Sequence, residues 1–159
     1  MNRISQELLS KVLDEHGPAL VLYARQWCDC PEDVVQEAFV SLLRQPREIK
    51  NLIGWLYRVV RNGAINASRK ASRRSRHEAT AAHLGEPWFE CRNGQRMDAE
   101  HLVDVMKGLP IEQRETVVAR LWGGLSWDEV AELTDTSIST AHRRFQTAIA
   151  VLRERFPDT

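Results

Sequence analysis

Apolar residues along the first part of the chain return at intervals of three and four. Leu8, Leu9, Val12 and Leu13 form one set, and Leu20, Val21, Ala24 and Trp27 form a second. This is the period of helices with one buried face, and Gly17-Pro18 between the sets predicts a break there. A further helix is predicted from Pro31 to Arg44: proline suits a first turn, Glu32 and Asp33 complement the positive end of the helix dipole, and the element stops before Pro46. The next runs from Asn51 into the arginine-rich stretch near Arg74, with Leu52, Leu56, Val59 and Gly63 as its inward face.

From about Ser75 the period dissolves, and Gly85, Pro87 and Gly94 punctuate a stretch that reads as a flexible linker. Periodicity then resumes near Met97–Gly108, from Pro110 to Trp122, at Ser126–Thr134 and from Ser137 to Arg155. Ser126 with Glu129 is a capping-box pattern, and Ser137 suits the cap of the last helix. The pattern predicts an all-α protein of two small helical domains, residues 1–76 and 97–159, joined by a linker at 77–96. Two aromatic residues of that linker, Trp88 and Phe89, are candidates for packing the domains together.

Charge changes this picture more than composition does. The 22 basic and 22 acidic residues cancel, but not locally. Residues 1–43 carry three basic and seven acidic groups, 44–76 carry ten and one, 77–136 carry five and twelve, and 137–159 carry four and two. Two positive segments thus lie between acidic ones, and a local patch, not the average, binds a polyanion.

Several classes fall away. No run approaches the roughly 20 apolar residues of a membrane span, and the polar N-terminus lacks the order of a signal peptide, so a cytoplasmic protein without membrane insertion is expected. Cys28, Cys30 and Cys91 are odd in number, and Cys28-x-Cys30 is tighter than zinc spacing; reduced thiols are expected. With no HExxH, paired CxxC, nucleophile elbow or phosphate-cradling glycine loop, the sequence nominates no catalytic residue, metal site or cofactor.

Three surfaces remain as candidates. Ser126–Thr134 and Ser137–Arg155 have the dimensions of a helix-turn-helix; Ala141, Phe145, Ala148, Leu152 and Phe156 line the buried side of its second helix. Its other side carries Ser139, Thr140, His142, Arg143, Arg144, Gln146 and Thr147, groups suited to phosphates and base edges. On the basic helix, Arg58, Asn62, Asn66, Arg69 and Arg73 follow spacings of four, four, three and four, with Arg61 beside them, a stripe shaped to follow a phosphate backbone. On the helix from Pro31, Val35, Phe39 and Leu42 turn inward and Glu32, Asp33, Gln36, Glu37 and Val40 outward, an acidic face with one apolar member. Residues alone leave blander readings open: a polar face is also what a solvated bundle helix shows, and Trp55 and Tyr57 suit either base stacking or the core.

The segment LPIEQRETVVARLWGGLSWDEVAELTDTSISTAHRRFQTAIAVLRERF resembles region four of bacterial RNA polymerase sigma factors of the extracytoplasmic-function type. DVVQEAFVSLL and GWLYRVVRNGAINASRK resemble region two of the same family. The resemblance implies a non-catalytic transcription initiation factor that binds core RNA polymerase, recognises promoter DNA and assists its melting. It implies minus-thirty-five element contacts by Ser139, Thr140, His142, Arg143, Arg144 and Gln146. It implies minus-ten contacts by Arg58, Arg61, Asn62, Asn66, Arg69 and Arg73, with an extruded base held by the loop Gln45–Asn51, and polymerase contacts by Asp33, Gln36 and Glu37. An anti-sigma factor is the further partner implied. Asp135, Thr136 and Thr147 depart from the family pattern, which bears on base preference. The competing reading is a plain helix-turn-helix regulator, which leaves the first domain's basic stripe and DVVQEAF without a task.

Overall fold

The computed structural model describes residues 4–75 and 104–155. Every regular element among them is helical, and the chain divides into two compact units, the division falling within the stretch between these spans. The expected linker with Trp88 and Phe89, together with Cys91 and Phe156, lies outside the described residues, as does most of the helix expected near Met97–Gly108.

The first unit is a bundle of three helices, α1 (Gln6–Ala24), α2 (Pro31–Leu43) and α3 (Leu52–Ser75), each packed on the other two. Ser5 caps α1, its hydroxyl accepting the Leu8 N–H at 3.1 Å. The break expected at Gly17-Pro18 does not occur: α1 runs through Pro18 as one helix. Proline there forfeits the bond that the Asp14 carbonyl would accept, but Asp14 lies on the exposed side, open to solvent. The unbroken run Ala19–Ala24 is buried, and that burial outweighs one lost backbone bond.

Pro31 opens α2 as expected, and Arg44 follows its last residue as the C-cap. Asn51 caps α3, its side-chain oxygen accepting the Gly54 N–H at 3.1 Å. The inward face of α3 needs correction. Leu56, Tyr57, Val60 and Ala64 are fully buried, whereas Leu52, Val59 and Gly63 sit half-buried at its margin. The helix is rotated from the expected stripe because the large Tyr57 ring packs in the core against Tyr23, 5.0 Å between centroids. Gly63 still has a packing role, since a Cβ there would meet a Val34 methyl at 3.1 Å. Beyond Ala64 the burial ends, and residues 69–74 are all exposed, so the basic end of α3 stands clear of the bundle.

In the second unit a helical turn at 104–106 leads to α4 (Ile111–Val117), α5 (Trp127–Thr134) and α6 (Ile138–Arg155). The helix expected from Pro110 to Trp122 begins as predicted, but its last turn widens into a π-helix over Val118–Trp122. There the Gly123 N–H reaches back to the Val118 carbonyl at 3.0 Å, and Gly124 then reverses the chain with φ +66°. Ser126 caps α5 with both arms of the capping box in place: Ser126 N–H to Glu129 Oε1 at 2.9 Å and Glu129 N–H to Ser126 Oγ at 3.2 Å.

Asp135 ends α5 in the left-handed region at φ 54°, ψ 48°, a geometry aspartate adopts more readily than most residues. The Thr136 N–H returns to the Ala131 carbonyl at 3.0 Å, and Ser137 caps α6 through the Thr140 N–H at 3.1 Å. On α6, Ala141, Ala148 and Leu152 are buried and Phe145 is half-buried, forming the seam against α4 and α5. Arg155 closes this unit by donating to the Val105 carbonyl at 2.6 Å.

Candidate nucleic-acid and polymerase interfaces

The packing of α2 decides what its acidic side can do. Val34, Val35, Ala38, Phe39 and Leu42 fill the bundle, which turns Asp33, Gln36 and Glu37 outward, all three exposed. Apolar Val40 and Leu43, 40% and 54% exposed, extend the same open side of the helix. Glu32 differs: it is half-buried and 3.8 Å from the Arg25 guanidinium, so its charge is shared with the end of α1.

On α3, Arg58, Asn62, Asn66, Arg69 and Arg73 are all exposed. Arg61 is half-buried, its guanidinium 5.7 Å from the Trp27 ring centroid, and this cation–π contact ties the stripe's edge to the turn after α1. Trp27 is itself held edge-on by Tyr23 at 4.9 Å. Of the two aromatics left open by sequence, Tyr57 is core, fully buried, and cannot stack on a base; Trp55 is half-buried. The Tyr57 hydroxyl has no hydrogen-bond partner among the described residues, and burial raises its pKa above the ordinary tyrosine range. The loop 45–51 before α3 is exposed except at half-buried Ile49.

In the second unit α6 presents Ser139, Arg143 and Gln146 exposed. Thr140 is half-buried, and its hydroxyl accepts from Ser137 Oγ at 2.9 Å. Arg144 is half-buried. His142 is also half-buried, its ring 4.4 Å from that of Trp127. Trp127 additionally meets Phe145 edge-on at 5.2 Å and carries the Arg120 guanidinium at 4.7 Å. Trp127 and Arg120 were not among the sequence candidates. Arg120 belongs to the π-turn, whose wider register no regular helical spacing announces.

Cys28 and Cys30 are free thiols. Cys28 is buried, donates to the Ala24 carbonyl at 3.5 Å, and is pushed up to about 12 chiefly by burial, so it stays protonated at neutral pH. Among the described residues no three His, Cys, Asp or Glu side chains gather as metal ligands, and no helix is long and apolar enough to cross a membrane.

Comparison with known proteins gives these surfaces a family. The sigma-70 region 2 model matches residues 12–74, and the sigma-70 region 4 model matches residues 100–152, together well over half the chain. An ECF RNA polymerase sigma-E factor of Haemophilus influenzae is 27% identical over 126 residues, covering 70% of this chain and 67% of its own. Two solved structures share the fold at 21% identity. CnrH in complex with the cytosolic domain of CnrY has a TM-score of 0.65 over 98% of this chain and 92% of that one. The sigma factor RpoE in complex with the anti-sigma factor NepR from Bartonella quintana has a TM-score of 0.68 over 97% and 99%. With region 2 on the three-helix bundle and region 4 on the helix-turn-helix, the chain belongs to the sigma-70 family of RNA polymerase sigma factors, of the extracytoplasmic-function type.

Proposed function

We propose that this transcription initiation factor works through three surfaces divided between its two units, residues 1–76 and 97–159, with 77–96 as the tether. The acidic ridge Asp33, Gln36 and Glu37 anchors core RNA polymerase by meeting a basic helical surface, with Val40 and Leu43 supplying apolar contact beside the charge. The stripe Arg58, Arg61, Asn62, Asn66, Arg69 and Arg73 follows the phosphates of the minus-ten element. The exposed loop 45–51 takes up a base extruded from the melted strand. Unstacking costs a few kcal/mol per base, and capture of the base offsets it, so binding itself drives opening.

The helix-turn-helix reads the minus-thirty-five element through Ser139, Thr140, His142, Arg143, Arg144 and Gln146. An anti-sigma protein is the regulatory partner; the two solved relatives are both held in complexes, one of them with a named anti-sigma factor. The observation that carries the reading is the outward display of an acidic ridge and a separate cationic stripe on a single bundle. A simple operator-binding regulator has no use for that combination.

The test is co-purification with core polymerase. The wild-type chain is expected to be retained, and Asp33→Ala with Glu37→Ala is expected to weaken retention by about tenfold or more through lost charge-assisted contacts. Unchanged polymerase affinity in that variant refutes the docking assignment.

A further inference from the structure

His142 stands on the presented side of α6, yet it is not a loose surface side chain. Its ring lies 4.4 Å from Trp127 at an interplanar angle of 40°, and Trp127 is braced from two other directions. Phe145, one turn along α6, meets the indole edge-on at 5.2 Å. Arg120 lies 4.7 Å from it and is fixed in turn by donating to the Leu125 carbonyl at 2.7 Å. The π-turn that carries Arg120 and the capping box that starts α5 at Trp127 together fix where the indole sits. By contrast, neighbouring Arg143 is exposed.

A side chain already held in one orientation loses less conformational entropy on binding than a free one. It also suits base reading, which demands fixed direction, more than phosphate contact, which tolerates a moving cation. An imidazole N–H donates one hydrogen bond, and in the major groove purine N7 is an acceptor on both adenine and guanine.

We infer that Trp127 is a positioning residue that holds His142 as a fixed donor to the N7 edge of a purine at one base pair of the upstream element. This inference rests on the proposed role of the helix-turn-helix as the upstream-element reader. It adds a division of labour within that surface: His142 supplies preference at a single base pair, while Arg143 supplies attraction across all sequences.

The experiment uses polymerase reconstituted with the full chain and upstream-element duplexes in which each purine in turn is replaced by its 7-deaza analogue. For the wild-type protein, one position is expected to lose about tenfold in affinity. His142→Ala and Trp127→Leu are expected to be indifferent to the analogue at that same position, with an unchanged salt slope. Trp127→Phe, which keeps a smaller ring under the imidazole, is expected to retain part of the sensitivity and guards against loss through misfolding. The inference is overturned if Trp127→Leu keeps full sensitivity, or if the wild-type protein tolerates the analogue everywhere while still preferring its element. Failure of the wild-type holoenzyme to prefer any upstream duplex over random DNA overturns the upstream-reader role itself, and is seen before any variant is made.

Discussion

Replacing Arg69 and Arg73 together by alanine tests the proposed minus-ten surface most cleanly. The two residues are one helical turn apart, about 6 Å along the axis of α3, and both are exposed on the part of the helix that leaves the bundle. Little else depends on them: exposed substitutions of this kind change stability by about 0.5 kcal/mol or less. If each contacts one phosphate of a single strand, each contributes about 0.7 to the slope of log affinity against log salt. Losing both lowers the slope by about 1.4. Between about 50 and about 200 mM salt the wild-type holoenzyme is then expected to lose about sevenfold more affinity than the variant. The assay is titration of a fluorescent non-template minus-ten oligonucleotide with reconstituted polymerase at several salt concentrations. Parallel slopes for the two proteins would refute the assignment even if the variant bound more weakly.

Other expected outcomes follow from single features. Arg143→Ala with Arg144→Ala is expected to weaken upstream-element recognition by about tenfold or more while binding to core polymerase is retained; a matched loss of polymerase binding would count against their role. Ser126→Ala removes the cap of α5 and is expected to cost about 1 kcal/mol, read as a lower denaturant midpoint for the second unit, and no shift would show that the capping box contributes nothing. Tyr57→Phe deletes a buried hydroxyl without a partner, so stability near neutral pH is expected to hold or rise by up to about 1 kcal/mol. The same variant is expected to resist alkali better. The folded protein keeps the Tyr57 proton above the pH at which the unfolded chain releases it, so wild-type stability falls as pH rises past the ordinary tyrosine range. A variant that unfolds at the same alkaline pH as wild type would contradict this.

Much of the fold was legible because it rests on short-range rules. Pro31 followed by two carboxylates, Ser126 three residues before Glu129, and aspartate in a left-handed turn are local devices, and each operates as its chemistry suggests. What escaped is where tertiary packing overrides the local rule. Pro18 reads as a stop, but the apolar run after it continues α1 into the bundle. The apolar positions of α3 fit two adjacent rotations, and only the Tyr23–Tyr57 contact selects between them.

The candidate surfaces divide in the same way. Asp33, Gln36 and Glu37 are outward because α2 buries the opposite side, which periodicity encodes, whereas the outward side of α3 with its Arg58–Arg73 stripe is settled only once Tyr57 packs on Tyr23. The support of His142 depends on Arg120 and Trp127 from other elements, and on a π-turn whose register has no signature in spacing. Residues that position others are harder to find from sequence than residues that are positioned, since their spacing follows the fold and not a single helix.

A factor of this kind directs initiation at defined promoters. Core polymerase transcribing a library of randomised promoters, with and without the protein, measures that directly. Transcripts dependent on the protein, arising from templates constrained at two separate blocks upstream of the start, are the predicted result. Transcription no different from that of core polymerase alone would contradict it.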